Sequence, residues 1–280
     1  RGGVLSTGQR IDEPVDMHNW LERALVEIGW EAKRRQYHAF NADQLGRKLP
    51  LRRGVGVATF MHGCGFTGSG EVNLASKCLV RAAADGVVEV CTANTEIGQG
   101  AQTIFSQVAA DALGLTLADV RVVQPDTDQV PNSGPTVASR TAMVVGHLVA
   151  KACDDLVAKL EGAGLLAQAR RHDEPAIAPS RQSSGRGANY VAQDLRAALH
   201  AAGNGPVAGR EGWSQYEPPP GVVWDDASYK GVAYGTYGWA VYAADVEVDT
   251  MTMQVTVRDF VALQEIGRVL HPVLATGQIA

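Results

Sequence analysis

Three short segments of this 280-residue chain combine glycine with side chains able to hold polar groups. The first, Gly98-Gln99-Gly100, reads as a turn between a strand and a helix. Glycines at such a junction let backbone N–H groups approach a ligand, and the helix start adds partial positive charge suited to an anion. Gln99 carries one acceptor oxygen and two donor hydrogens, so it can hold a polar group without adding charge. Taken alone, the string also reads as a plain tight turn. The second segment runs from Pro125 to Arg140, a polar loop leading into a helix expected from Thr136. Ser139 and Arg140 are expected in that helix's first turn, where a hydroxyl and a guanidinium can meet phosphate oxygens. Asp126 and Asp128 suit a metal-binding carboxylate pair, but beside loop prolines they read more simply as turn formers or caps. The third is Glu265 to Pro272 followed by Gly277-Gln278, again an amide beside glycine. His271 is a general base by type, whereas its place before a proline at a helix start points to a capping or packing role.

The elements that must position these segments follow from periodicity and turn residues. Asp16 to Trp30 reads as an amphipathic helix with Asp16 as N-cap. Gly54 to His62 is strand-like and leads into a glycine-rich loop, 63–70. Ala75–Ala83 and Val87–Ala93 flank Asp85-Gly86, a hairpin turn expected to place both central residues at positive φ. Ala101–Leu113 is a helix closed by Gly114. Leu117–Gln124 is read as a strand, Thr136–Leu160 as a long helix, and Tyr190–Ala202 as a second amphipathic helix. Arg170–Gly187, rich in Pro, Ser and Gly, is read as a surface loop or insertion. Trp239–Val248 and Met253–Ala262 form a second hairpin, and His271-Pro272 opens a final helical turn. Strands and helices mix without regular βαβ alternation, so the fold class is α+β, built of mixed β-hairpins and helices.

Composition bounds the function. Apolar residues make up 45 % and charged residues 20 %, ordinary for a globular chain with a core that needs no disulfides. The net charge of −5 argues against nucleic acid or an anionic membrane surface as main partner. The four cysteines, Cys64, Cys78, Cys91 and Cys153, form no CxxC pair, so no complete zinc or iron–sulfur site is expected. Cys78 and Cys91 lie in strand-like runs and read as buried, inert thiols. A reducing, cytoplasmic setting is expected, with a periplasmic one left open, and no run is long enough to span a bilayer. The chain begins without Met and stops abruptly at Gly277-Gln278-Ile279-Ala280, which reads as a fragment, a processed chain or one piece of a split subunit.

Assembled in order, these strings become specific. A hairpin, E-x-G-Q-G, a helix, a strand, P-D-T-D-x-x-P-N-S-G-P-T-x-A-S-R, a long helix, Y-G-W-A-V-Y-A-A-D-V-E-V-D and G-R-V-L-H-P-x-x-x-x-G-Q-I together resemble the molybdenum hydroxylases. That family includes xanthine dehydrogenase and the aldehyde oxidoreductases. The resemblance runs from about Arg53 to Ala280. It implies a helical linker over 1–52, then a partial molybdopterin-binding domain over 53–280 with a variable insertion near 162–212. It also implies a molybdenum ion held by a pterin cofactor, molybdopterin or its cytosine dinucleotide, with no direct bond from protein to metal. Gln99, between Gly98 and Gly100, would face an oxo ligand of the metal as an outer-sphere contact and serve the catalysis. Gly277 and Gln278 would touch the pterin or its phosphate tail, with Ser139 and Arg140 as further candidates for the tail. Thr236 and Tyr237 fall where relatives place substrate-pocket residues, and read otherwise as a structured strand entry.

The implied activity is hydroxylation of an N-heterocycle or aldehyde with water as oxygen donor. Electrons would leave through iron–sulfur clusters and FAD on partner domains or subunits. The family's G-G-G-F-G-G-K-like segment and its G-x-G-E glutamate, the general base, are not found in this sequence. Gln124 stands where xanthine-type members carry a substrate-facing acid. These departures support a second reading, a non-catalytic cofactor-binding or scaffold chain that completes a site on a partner.

Overall fold

The computed structural model describes residues 2–167, 190–205 and 210–279. The polar run Arg170–Gly187, and with it about half of the expected insertion near 162–212, lies outside the described residues. Two units emerge: one is the N-terminal part up to Gly63 with Thr236–Val269, the other Cys64–Gly235 with Leu270–Gln278. The division therefore differs from the expected one at residue 52. The supposed linker is built into the first unit, because its helices cover that unit's sheet.

In the first unit, short strands β1 (Gly3–Val4) and β2 (Arg10–Ile11) pair antiparallel. Helix α1 (Met17–Glu27) starts at Asp16, whose side chain accepts from the Asn19 N–H at 3.1 Å, as the sequence suggests. Gly29, at φ +71°, breaks the helix, and α2 (Trp30–Gly46) follows. This second helix escapes sequence reading because its apolar residues define no single stripe. Strand β3 (Leu51–Gly63) forms one edge of a three-stranded antiparallel sheet whose other members, β10 (Tyr237–Asp249) and β11 (Val255–Glu265), are the C-terminal hairpin. Ala24, Ile28 and Tyr37 of the helices are buried. The Tyr37 hydroxyl donates to Asp245 at 2.7 Å, and Lys33 pairs with the same carboxylate at 3.0 Å, pinning α2 to one face of the sheet.

The second unit is built on a four-stranded sheet in the order β6-β5-β4-β7. Strands β4 (Lys77–Ala82) and β5 (Val88–Cys91) form the expected hairpin. Its turn takes positive φ only at Gly86, since Ala83 and Val87 also join the loop and the Gly86 N–H donates to the Ala83 carbonyl. Helix α3 (Gly70–Leu74) precedes the hairpin, and α4 (Ala101–Leu113), closed by Gly114 at φ +64°, follows it. Of the expected strand Leu117–Gln124, only Val120–Val122 is extended (β6, parallel to β5). Thr116 and Asp119 instead cap each other around a short 3-10 turn.

The long helix departs from expectation at its start. Ala138 and Ser139 both adopt left-handed backbone (φ +56° and +54°), a π-helical turn covers Thr141–Val145, and regular helix α5 begins only at Gly146, running to Gly162. Helix α6 (Ala192–Gly203) and strand β7 (Glu211–Gln215) complete the layer, followed by the small ladder β8 (Trp224–Asp225) and β9 (Lys230–Gly231). Helix α7 (Pro272–Gly277) is capped by His271, whose Nδ1 accepts from the Leu274 N–H at 3.2 Å, the capping role that its position before proline suggests. Val80, Val88, Val90, Phe105, Leu148, Leu156, Leu195 and Leu199 fill the core between sheet and helices. Each fully buried leucine contributes roughly 1.5–3 kcal/mol. Helix α5 lies directly on β7: a Cβ on Gly212 would stand 2.0 Å from the Ala152 carbonyl oxygen.

Candidate functional site

Strand β5 ends at Cys91, and the chain beyond it runs to α4 through Thr92–Gly100. The Asn94 side chain is buried there, its Nδ2 donating weakly to the hydroxyls of Thr136 and Thr141 at 3.4 Å each. The Thr95 N–H donates to the Thr136 hydroxyl at 2.9 Å, and the Ala93 N–H to the Ser133 hydroxyl at 3.0 Å. Ser133 passes its own proton to the Lys77 carbonyl at 2.8 Å. These bonds lay the 133–141 loop along the segment that carries Gln99. The third segment joins them, because a Cβ on Gly100 would lie 2.5 Å from Cδ1 of Leu274, three residues before Gly277. The glycine-rich loop is tied in through the Gly65 N–H, which donates to the Ala138 carbonyl at 2.8 Å.

A buried ion pair organises this cluster. Arg140 is fully buried, and all five of its N–H donors are engaged. Nε and Nη2 meet the Glu71 carboxylate at 3.0 and 2.9 Å, Nη2 also meets the Ser76 hydroxyl at 2.6 Å, and Nη1 bonds the carbonyls of Ser133 and Pro135 at 2.7 and 3.2 Å. Glu71 in turn accepts from the Phe66 N–H at 3.1 Å. The expectation that this guanidinium meets a phosphate tail is corrected on that ground: no donor is left over, and the side chain braces two loops instead. Ser139 is exposed on a left-handed backbone, not in the first turn of a helix. Such strain in non-glycine residues, next to a π turn, is characteristic of functional loops.

The turn at 96–100 is held differently. Oε1 of Glu96 accepts from the Gly98 and Gly100 N–H groups at 2.8 and 3.0 Å, and Oε2 accepts from the Gln102 N–H at 3.0 Å. These amide donors, Gln102 foremost, hold the Glu96 carboxyl below its ordinary value of 4.5. The helix start expected to offer its amides to a ligand anion is thus already supplied with one. Gln99 folds back on the same turn, its Nε2 donating to the Thr95 carbonyl at 2.8 Å and its Oε1 accepting from the Ile97 N–H at 2.7 Å. Gly98 sits at φ +99° with open space where a side chain would be, and Gly277 and Gln278 are exposed.

Other candidates have local explanations. Asp126 accepts from the Asp128 N–H at 3.0 Å and from the Gln129 side chain at 2.9 Å, the behaviour of a turn former. Thr236 and Tyr237 belong to the first unit. There the Glu13 carboxylate accepts from the Thr236 hydroxyl at 3.1 Å, from the Tyr237 N–H at 3.0 Å and from the Trp239 indole, and the Tyr237 hydroxyl bonds Gln9 at 2.9 Å. Cys78, Cys91 and Cys153 are buried free thiols, and burial pushes Cys91 up to about 11.

Glu71, Asn94 and Ser133 had no local signal in the sequence. Glu96 had one: an acid followed by glycine turns and then a helix is a capping pattern. Among the described residues no group of three or more His, Cys, Asp or Glu could hold a metal ion, and no helix is long and apolar enough to cross a membrane. Among the described residues the buried Oδ1 of Asn94 and Oγ1 of Thr92 have no hydrogen-bond partner, so this strand end keeps acceptors of the kind that meet a polar organic ligand.

The second unit thus gathers neutral amides, hydroxyls and open glycines from three loops into one region. The chain belongs to the molybdopterin cofactor-binding domain family, whose model matches residues 23–280, and hence to the molybdenum hydroxylases. It is 30 % identical to xanthine dehydrogenase 2 of Arabidopsis thaliana over 94 % of its own length, and 28 % identical over 98 % to the putative xanthine dehydrogenase molybdenum-binding subunit XdhA of Escherichia coli. It spans 17 % and 34 % of those two proteins. Among solved structures, the quinoline 2-oxidoreductase of Pseudomonas putida 86 has the same fold over 99 % of the chain and 34 % of its own (TM-score 0.67, 21 % identity). The aldehyde oxidoreductase of Desulfovibrio desulfuricans matches 99 % of the chain and 26 % of its own (TM-score 0.63, 23 % identity). The family's cofactor is a molybdenum–pterin, and iron–sulfur clusters and FAD on partner domains are typical of it.

Proposed function

We propose that this chain forms part of the molybdenum-cofactor-binding subunit of an oxidoreductase that hydroxylates an N-heterocycle or an aldehyde, with water as oxygen donor. The carrying observation is the packing of Gly100 against Leu274, which sets the Gly98–Gly100 turn beside the helix that ends in Gly277-Gln278. When bound, the molybdenum–pterin group supplies oxygen-atom transfer and takes up the electrons. The protein's share is positioning. Gln99, on giving up its bonds to Thr95 and Ile97, would hold the metal's outer sphere, Gly277 and Gln278 would hold the pterin, and Ser139 would offer a hydroxyl to its tail. Arg140 acts on the loop rather than on the cofactor. Thr236 and Tyr237, which fall where relatives place substrate-pocket residues, would serve the substrate. Iron–sulfur and flavin domains or subunits would carry the electrons away, in a cytoplasmic setting.

A second reading, a non-catalytic cofactor-binding chain that completes a site on a partner, is favoured by the state of the nearby acids. Glu71 is committed to Arg140 and Glu96 to backbone amides, so neither is free to serve as a base. Metal analysis tests the first claim: about one molybdenum per copy of this chain when its partners are present, and almost none for the chain alone. A complete, active complex without molybdenum would sink both readings. Turnover by the chain reconstituted with cofactor alone would sink the second.

A further inference from the structure

Helix α7 has six residues, too few to sustain a helix unaided, since isolated helices shorter than about 12 residues are marginal in water. Three features hold it. Pro272 at the first helical position brings a φ already suited to a helix. Leu274 packs over Gly100, whose missing Cβ leaves room for it. The third is the cap. His271 lies in extended backbone (φ −141°, ψ 105°), its Nδ1 accepts from the Leu274 N–H at 3.2 Å, and its carbonyl accepts from the Ala275 N–H at 2.9 Å.

Helix caps are ordinarily Ser, Thr, Asp or Asn, whose oxygens accept throughout the neutral pH range. An imidazole nitrogen accepts only while it carries no proton, because both ring nitrogens of the imidazolium are donors. Protonation therefore removes the acceptor for Leu274 and sets a positive charge at a helix start that is already partly positive. Both effects act against the helix. The nearby charges do not share this behaviour. The element packed on α7 through Leu274 is α4, and the charged group at that end is Glu96, whose oxygens are taken up by the amides of Gly98, Gly100 and Gln102. Helix α7 has no titratable side chain of its own. Of the charged residues just before it in sequence, Glu265 turns back on the Gly267 N–H at 2.7 Å, and Arg268 keeps its charge at any ordinary pH. The imidazole is the group here whose type changes charge between about pH 5 and 8.

We propose that His271 is a pH-sensitive latch on α7. Neutral, it caps the helix and keeps Leu274 over Gly100. As pH falls through the imidazole range the cap is lost, and the helix ending in Gly277-Gln278 loosens from the 98–100 turn. The inference rests on the capping geometry and not on the catalytic reading.

The test is amide hydrogen exchange in the intact molybdenum enzyme, resolved to single residues and corrected for the intrinsic effect of pH. Protection at Leu274 and Ala275 should fall about tenfold between about pH 8 and pH 5, the combined worth of a cap and an adverse helix-end charge. His271→Asn supplies a capping oxygen that does not titrate, so it should keep the higher protection at both ends of the range. His271→Ala should show the lower protection at both. The Gly98 and Gly100 amides, held by Glu96, should not change across this interval. A flat wild-type profile overturns the proposal. The same fall in His271→Asn also overturns it, because the titrating group would then lie elsewhere. So does a matching fall at Gly98 and Gly100, which would mean that the whole site opens rather than α7.

Discussion

The two loops that carry the candidate site are fastened by opposite means. The 133–141 loop is tied from within, by a buried guanidinium whose donors are all taken up. The 96–100 turn is tied from its rim, by a partly exposed carboxylate gripping backbone amides. A buried pair is unforgiving, because losing one partner strands the other's charge away from water. A cap at the surface can let go at modest cost, because water takes over its bonds. The first arrangement suits a fixed wall, the second a turn whose central side chain must change partners when a cofactor arrives.

Four substitutions can break that distinction. Arg140→Met should cost about 3–5 kcal/mol in denaturant unfolding by stranding Glu71, and adding Glu71→Leu should recover part of the loss. If the double variant is no more stable than the single one, the pair is not the brace. Gly134→Ala comes next, at about 1–3 kcal/mol: its φ of +75° disfavours a side chain, and a Cβ would lie 2.9 Å from the immobilised Nη1 of Arg140. Glu96→Ala should cost about 1 kcal/mol, the ordinary worth of a helix cap. A loss as large as that of Arg140→Met would erase the contrast between the loops.

Glu96 also has a pH signature. Its folded-state carboxyl titrates below 4.5, so its contribution is fully present above that pH and is lost as pH falls through the lower folded value. Hydrogen exchange at the amides of Gly98, Gly100 and Gln102 should therefore lose protection only on the acid side of 4.5. Uniform protection down to the acid unfolding of the whole unit would show that Glu96 does not hold the turn. The smallest stability effect is expected from Gln99→Ala, within about 0.5 kcal/mol. Turnover of the assembled enzyme should drop far more than that, and an equal loss of both would return Gln99 to the role of a turn residue.

Much of the frame is legible in the sequence because its signals are local. Asp16 as N-cap, Gly114 as helix stop, Asp85-Gly86 between β-prone runs and the alternation of the C-terminal hairpin each act within a few residues. What stays hidden depends on partners far along the chain. A helix beginning at Thr136 is the local preference, but Arg140 reaches Glu71, 69 residues away, and the backbone coils through Ala138 and Ser139 to let it. Likewise the partner of Thr236 and Tyr237 is Glu13, more than 220 residues earlier, which accepts hydrogen bonds from the Thr236 hydroxyl and the Tyr237 N–H. The site segments are therefore visible as strings, while the roles of their charged members are not.

The π turn at Thr141–Val145 sets a phase for everything after it. Each helical residue advances the direction of its side chain by about 100°, and a π turn spends one residue more than a regular turn to make the same circuit. Removing one residue from this turn would let the helix close without the widened loop while leaving Leu148, Leu156 and Leu160 aimed at the core. Adding one further along would swing all three away from it. The widened turn thus works as a slack ring between the site loop and the core, a place where length can change on one side without turning the other.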